Sequence, residues 1–362
     1  MRLAVAHDWM VTYAGSERVV GAILEAYPES RLLTTLIEPE RLPQSFRRAE
    51  PSFLQRVPTA TRHHEWFLPA MPLAWAVRHP VDNVSAVVSS SHACAKAVRI
   101  ADGIPHLCYC HTPMRYAWDF ESESGRFPAT IRPAARLLMA GFRRWDRGTA
   151  TRVDVFVANS TAVAERIERF YGRSAQVIHP PVDTERFTPG GERTDDFLYV
   201  GRLVGYKRPD LVVEAFAGLN ERLVVVGDGH LLPQLRARAT PNVTFLGHAD
   251  DDTLLRLYRT SKALVFPAEE DFGIAMAEAQ ACGTPVIALN RGGARDIVDD
   301  GETGWLLETA TVEAVRSAVR EATRRSSPAA EIRQRAERFS TARFKREFTA
   351  AVESMLAGSK PG

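Results

Sequence analysis

Residues 263–285 read Ala263-Leu264-Val265-Phe266-Pro267-Ala268-Glu269-Glu270-Asp271-Phe272-Gly273-Ile274-Ala275-Met276-Ala277-Glu278-Ala279-Gln280-Ala281-Cys282-Gly283-Thr284-Pro285. A short apolar run ends at Phe266, a polar turn follows, and the next segment predicts a helix that begins around Phe272 or Gly273 and stops at Gly283, a C-terminal glycine. Similar apolar runs stand at Phe197 to Val200, Leu223 to Val226, Val243 to Leu246 and Pro285 to Ala288, separated by helical stretches such as Pro209 to Leu219. Runs that are apolar throughout, rather than alternating, are buried on both faces. That is the mark of a parallel sheet covered by helices.

The first half carries the same signature in Leu3 to Ala6, Ala86 to Val88, Leu107 to Cys110 and Val153 to Ala158, each running out into polar residues at its C-terminal end. Periodicity fails at His179-Pro180-Pro181-Val182-Asp183 and through Thr188-Pro189-Gly190-Gly191. The reading is therefore an α/β protein of two Rossmann-like, doubly wound domains facing across a cleft. Residues 1–183 form the first domain, 184–340 the second, and 341–362 a C-terminal helix packing back toward the first domain. In open α/β sheets ligands bind beyond the carboxyl ends of the strands, so the chemistry is sought in the turns after strands.

Composition sets outer limits. The 362 residues are 45% hydrophobic and 25% charged with a net charge of +2, as in ordinary globular proteins, and no whole-chain basic bias points to nucleic acid. No run reaches the length of a membrane span, and Met1 to Ala6 meets His7 and Asp8 too soon for a signal peptide, so a cytoplasmic location is expected. Cys94, Cys108, Cys110 and Cys282 lie in apolar runs and suggest no disulfide framework. Cys108 and Cys110 read as strand residues rather than metal ligands. Asp250-Asp251-Asp252 reads as a helix cap and Asp299-Asp300 as part of a glycine-closed turn.

Four segments carry chemistry. The helix N-terminus near Gly273 offers free amides and a favourable dipole to an anion such as a diphosphate. Glu270 ahead of it and Glu278 two turns on would repel phosphate but accept sugar hydroxyls. A nucleotide sugar, with hydroxylated groups on both sides of a diphosphate, satisfies that arrangement. Taken alone, the two glutamates read as a helix-terminal carboxylate and a solvated one. Val200-Gly201-Arg202-Leu203 and Gly205-Tyr206-Lys207-Arg208-Pro209-Asp210 form a strand, a glycine turn and a proline-started helix, with Arg202 and Lys207 able to neutralise phosphate. Cys110-His111-Thr112-Pro113-Met114-Arg115-Tyr116 ends a first-half strand and offers His111 near a reacting carbon. Gly15, between the first strand and a helix, permits close approach of backbone to phosphate. Its surroundings lack a GxGxxG pattern, which argues against a dinucleotide fingerprint.

The Glu270 to Glu278 spacing with its Phe-Gly and Cys-Gly-Thr-Pro flanks, Gly201-Arg202-Leu203 with Lys207, and Gly227-Asp228-Gly229 together resemble the retaining glycosyltransferases of family 4, which have the GT-B fold. The resemblance implies that Arg202 and Lys207 bind the diphosphate and Glu278 the ribose. It implies that Glu270 and the amides of Phe272, Gly273 and Ile274 hold the donor sugar, that His111 contacts a donor hydroxyl near the anomeric carbon, and that Gly15 approaches the diphosphate. His111, Arg202, Lys207 and Glu270 are the catalytic candidates. The chain departs from the pattern in having one glycine at Gly15 where many relatives have two. Asp271 and Ala275 also stand where glycine and proline are commoner.

Glu269-Glu270-Asp271-Phe272-Gly273-Ile274 with His111 to Tyr116 is similar to bacterial mannosyltransferases of O-antigen and exopolysaccharide assembly. That implies GDP-mannose as donor and a glycan or lipid-linked acceptor. No metal is expected, because Arg202 and Lys207 supply the charge a metal would. A UDP-sugar enzyme of the same fold and an inactive sugar-nucleotide-binding protein are the alternatives. An epimerase would need catalytic acids that are not evident, and a dehydrogenase its glycine fingerprint. The segment Ile131 to Arg152 places Leu138, Phe142 and Trp145 on one helical face and Arg136, Arg143, Arg144 and Arg147 on the other. It suits either an anionic membrane at the inner face of the cell or packing on the first domain's own sheet.

Overall fold

The computed structural model describes residues 1–119, 132–325 and 328–358. Its contacts divide the chain into two units, residues 1–181 with 344–362 and residues 182–343. The breaks fall after Pro181 and Arg343, where the sequence reading put them at 183 and 340. Val182 explains the first: it is fully buried in the second unit, and its amide donates to the Phe339 carbonyl at 2.9 Å.

In the first unit β1 (Leu3–His7), β2 (Arg31–Thr34), β3 (Ala86–Ser91), β4 (His106–Cys110), β5 (Val155–Ala158) and β6 (Gln176–Val177) form one parallel sheet in the order β2-β1-β3-β4-β5-β6. Strand alternation sends neighbouring residues to opposite faces. Leu3, Val5, Val88 and Tyr109 therefore pack with Phe344, Phe348 and Val352 of the last helix, Thr341–Gly358, while Ala4, Ala6 and Val87 pack with Met71 and Trp75. The sheet is covered on both sides, as its continuous apolar strands require.

The second unit holds β7 (Phe197–Val200), β8 (Leu223–Val226), β9 (Val243–Gly247), β10 (Ala263–Phe266), β11 (Val286–Leu289) and β12 (Gly304–Leu307) in the parallel order β12-β11-β10-β7-β8-β9. Counted from β7 this is the 3-2-1-4-5-6 order of doubly wound nucleotide-binding sheets. β12 is absent from the sequence reading. It is a short edge strand opening on Gly304, where an added Cβ would lie 2.0 Å from the Val286 carbonyl oxygen, so packing rather than β-propensity selects its first residue.

Both orders contain a switch point where the strand sequence changes direction, between β1 and β3 in the first unit and between β7 and β10 in the second. Ligands of such sheets sit outside the carboxyl ends of the strands there.

Candidate active site

In the second unit the turn after β7 begins at Gly201 and continues into a one-turn helix, Gly205–Lys207. Two glycines after β8 make that turn possible. A Cβ at Gly227 would stand 1.9 Å from the Gly201 carbonyl oxygen and one at Gly229 2.4 Å from that of Leu203. The two loops are thus in backbone contact, with the Leu203 amide donating to the Asp228 carbonyl at 2.8 Å. Arg202 is exposed, and its guanidinium donates to the Tyr206 hydroxyl at 2.6 Å, which orients it. Arg208 takes a left-handed conformation, φ 52°, and turns the chain into the Pro209–Phe216 helix.

Lys207 points back under the loop. Its Nζ lies 3.0 Å from Glu270 Oε1 and 5.6 Å from the centre of the Phe266 ring. The pair is close enough for strong charge attraction, yet Oε1 is buried and has no aligned hydrogen bond. Tyr199 stacks on Phe266 and donates from its hydroxyl to the Lys207 carbonyl at 3.2 Å. Burial, followed by the Glu270 charge, raises the Tyr199 phenol far above its usual range, so it stays a neutral donor.

The loop after β10 is clamped from the side of β11. A Cβ at Gly292 would meet the Glu270 carbonyl oxygen at 2.1 Å and one at Gly293 that of Phe272 at 2.2 Å, and the Gly293 amide donates to the Glu270 carbonyl at 2.9 Å. The helix that follows runs Ile274–Ala281, one residue later than the Gly273 start, because Gly273 at φ 93° is its N-cap. Being glycine, that residue brings no side chain of its own to the helix end. The Phe272 ring packs inward on Phe339, 5.5 Å between centroids, so only its backbone can face a ligand. Glu278 is 4% exposed rather than solvated, and its carboxylate accepts from the Tyr258 hydroxyl at 3.1 Å.

In the first unit His111 follows β4 and is buried. Its amide donates to the Ser91 carbonyl at 2.9 Å, its own carbonyl accepts from Asn159 Nδ2 at 2.9 Å, and its Nε2 lies 2.8 Å from Ser90 Oγ. Burial lowers His111 well below the usual histidine range, and His92 and His7 lower it further, so the ring is neutral near pH 7. Gly15 is the first residue of the helix Gly15–Ala26, whose N-terminus is held by Glu17 accepting from the Ala14 amide at 3.1 Å.

Around His111 stand groups that the sequence reading passed over. Asp8, fully buried after β1, accepts four backbone amides, those of His92, Ala93, Cys94 and Ala95, at 2.5–2.9 Å. Burial alone would raise this carboxyl, but the charges of His92 and His7 and the amide bonds outweigh it and hold it below its ordinary value. His7, His92 and His111 have ring centroids 5.8–6.2 Å apart. Their common signal is position: His7 ends β1, Ser90 is the penultimate residue of β3 and His111 follows β4, three neighbouring strands at the first unit's switch point.

The basic amphipathic segment is divided in the structure. Ile131 lies outside the described residues, and the helix spans Arg132–Ala150. Phe142 and Trp145 pack on the first unit's core, whereas Leu137 and Leu138 are 77% and 50% exposed. The arginines do not form one solvated face as the wheel suggests. Arg147 donates to the Phe170 carbonyl at 3.0 Å and lies over Trp118, and Arg143 reaches the Ala117 carbonyl at 3.4 Å. Fully buried Asp146 ties the helix down by accepting from Lys96 Nζ, and from Trp118 Nε1 and the Tyr171 hydroxyl, each at 2.7 Å. Among the described residues no helix is long and apolar enough to cross a membrane.

Comparison with known proteins agrees with this architecture. Residues 13–186 match the family model described as Glycosyltransferase Family 4, and residues 183–339 match that described as Glycosyl transferases group 1. The D-inositol 3-phosphate glycosyltransferase of Rhodococcus opacus (strain B4) is 33% identical over 247 residues, 58% of this chain and 54% of that protein. That of Geodermatophilus obscurus is 32% identical over 268 residues, 63% and 59% of the two chains. The matches thus span little more than half the length of these relatives. Among solved structures, Anabaena HepE in complex with UDP and glucose superposes with a TM-score of 0.73 at 16% identity, covering 98% of this chain and 100% of that one. Sucrose-phosphate synthase from Thermosynechococcus elongatus gives a TM-score of 0.73 at 18% identity over 99% and 100%. With two doubly wound sheets, a fold shared with these structures and family matches running from residue 13 to 339, the chain belongs to the family 4 and group 1 glycosyltransferases of GT-B fold.

Proposed function

We propose that the protein transfers a hexose, mannose from GDP-mannose as the first choice, to a hydroxyl of a glycan or lipid-linked acceptor in cell-envelope polysaccharide or glycolipid synthesis, with retention and without a metal. One observation carries this reading. At the second unit's switch point Lys207 and Glu270 meet at 3.0 Å beside a helix N-terminus whose N-cap is Gly273.

Arg202, Lys207 and the first amides of the Ile274–Ala281 helix would bind the diphosphate and stabilise it as a leaving group, an electrostatic contribution often worth a few kcal/mol for each donor. Glu270, held between Lys207 and the clamped loop, would accept hydroxyls of the sugar and fix its orientation. Glu278 would contact the ribose, and His111 and Gly15 would serve the donor from the first unit. The departing phosphate oxygen would take the acceptor proton as the new bond forms on the same face. Arg202 and Lys207 provide the charge otherwise asked of a divalent ion.

A UDP-hexose donor is the second reading, favoured by the UDP-glucose complex of HepE. The name of the matched relatives suggests a phosphorylated polyol as a second acceptor class. Thermal stabilisation by GDP, UDP, ADP and their sugars separates the donors, because ligand that binds only the native state raises stability with its affinity. Product formation from the stabilising donor then tests transfer. Stabilisation by no sugar nucleotide would defeat the reading.

A further inference from the structure

The first unit contains a buried chain of polar groups running from Glu17 through His7 and Ser90 to His111. Glu17 is 3% exposed, and its Oε2 is occupied by the Ala14 amide and the Ser16 hydroxyl, at 3.1 and 3.0 Å. Its Oε1 faces His7 Nε2 at 3.6 Å. On the other side of that ring, His7 Nδ1 stands 3.0 Å from both the carbonyl oxygen and the hydroxyl of Ser90. Ser90 Oγ is in turn 2.8 Å from His111 Nε2. His7 and Ser90 are completely buried.

The directions of these bonds follow from what each atom can do. A carbonyl oxygen only accepts, so a hydrogen bond from His7 Nδ1 to that of Ser90, 3.0 Å away, puts a proton on Nδ1, and the Glu17 carboxylate beyond Nε2 holds that ring in place by its charge. The Ser90 hydroxyl cannot then donate to His7. Its proton is left for His111 Nε2, which accepts it. A neutral imidazole that accepts at Nε2 bears its hydrogen at Nδ1.

We infer that Glu17, His7 and Ser90 are positioning residues that fix His111 as the Nδ1–H tautomer, making it a hydrogen-bond donor toward a sugar hydroxyl of the donor rather than a base. The inference rests on the reading that His111 faces the donor. It explains why three neighbouring strands end in polar residues that are sealed from solvent, and it commits the chain to a single proton arrangement.

The test is nitrogen-15 NMR of histidine-labelled protein, in which long-range proton couplings distinguish protonated from unprotonated ring nitrogens, with His111 assigned through His111→Asn. The wild type should show a protonated Nδ1 and an unprotonated Nε2 at His111. Ser90→Ala should shift His111 toward the Nε2–H form and lower kcat about tenfold, the effect of one hydrogen bond, with donor KM within about twofold. Ser90→Thr, which keeps the hydroxyl, should restore both. His111→Asn, whose amide N–H lies near the Nδ1 position, should retain more activity than His111→Gln. A wild-type His111 protonated at Nε2, or a Ser90→Ala protein with unchanged His111 signature and kcat, would overturn the inference. The wild-type spectrum decides the tautomer even if Ser90→Ala fails to fold. Since it needs no turnover, absence of glycosyl transfer would count against the proposed activity and not against the tautomer.

Discussion

The two switch points solve opposite problems. In the second unit Arg202 is exposed and Lys207 and Glu270 are only partly buried, so the charges at the switch point are held in pairs that stay open to solvent. In the first unit Asp8, His7, Ser90 and His111 are buried, the Asp8 carboxylate is met by four backbone amides, and Ser90 lies within hydrogen-bond distance of both His7 and His111. A site for a doubly charged diphosphate must keep cations hydrated until the ligand arrives. One that orients a neutral donor group must be rigid and dry. Substitutions in the second site should therefore cost activity with little stability, and those in the first should cost both.

The largest separation is expected at the cations. Arg202→Ala and Lys207→Ala should each lower turnover about tenfold to a thousandfold, the range of one or two charge-assisted contacts to a leaving group, with the denaturation midpoint close to wild type. Steady-state rates beside urea melts check this. Near-wild-type turnover in both variants would remove the phosphate assignment.

Asp8→Asn makes the reverse test. The amide keeps one acceptor oxygen and places NH2 against backbone N–H groups, so of the four amide contacts at least two are lost. We expect destabilisation of about 2–4 kcal/mol in urea, with activity falling as well. An unchanged melt would mean that the carboxylate does not organise the turn after β3.

A smaller effect separates the units by pH. Burial lowers His106, on β4 with its Nε2 2.8 Å from Ser89 Oγ, to about 4. Between there and the ordinary value of about 6.5 the unfolded chain binds a proton that the native one does not, so stability rises with pH across this window and is lost on acidification. From pH 7 to pH 5 this site contributes at most about 2 kcal/mol. His92 and His111, also lowered, add in the same direction. Depressed Asp8 and Glu17 lose their contribution only at more acid pH. His106→Asn should make the urea midpoint less dependent on pH in this range, and an unaltered slope would contradict the assignment.

The smallest effect concerns the Arg132–Ala150 helix. Leu137, Leu138, Arg136 and Arg144 are exposed, whereas Arg143 and Arg147 donate to carbonyls of the same unit. Weak, salt-sensitive flotation with anionic vesicles, of order 1 kcal/mol per exposed arginine, is the expected result. Binding that ignores both lipid charge and salt would exclude this helix as its cause.

Much of the architecture was legible because central strands of a parallel sheet are apolar throughout, as Leu3 to Ala6 and Ala263 to Phe266 are. The turns that carry Glu270, Lys207 and Arg202 were legible because each follows an apolar strand and contains or precedes glycine. The roles of Asp8 and Ser90 were not, since a polar residue at a strand end looks the same whether it meets water or four amides, and Glu17 looks like any carboxylate in the first turn of a helix. Gly292 and Gly293 also passed unread. Their role is to let two loops touch, and contact between segments twenty residues apart is invisible along a single chain. The burial of Glu278 was hidden for a similar reason, because its partner Tyr258 belongs to the preceding helix.

The central claim is that the donor lies along the Ile274–Ala281 helix with its sugar at Glu270 and its ribose at Glu278. Calorimetric titration of Glu270→Ala and Glu278→Ala with the free nucleoside diphosphate and with the intact donor, beside single-turnover rates, tests it most directly. Glu278→Ala should weaken binding of both ligands alike. Glu270→Ala should leave affinity for the nucleoside diphosphate nearly unchanged while cutting turnover, because a misoriented sugar loses alignment in the transition state. If Glu270→Ala weakens nucleoside diphosphate binding as much as Glu278→Ala does, or if either variant transfers sugar at the wild-type rate, the placement of the donor is wrong.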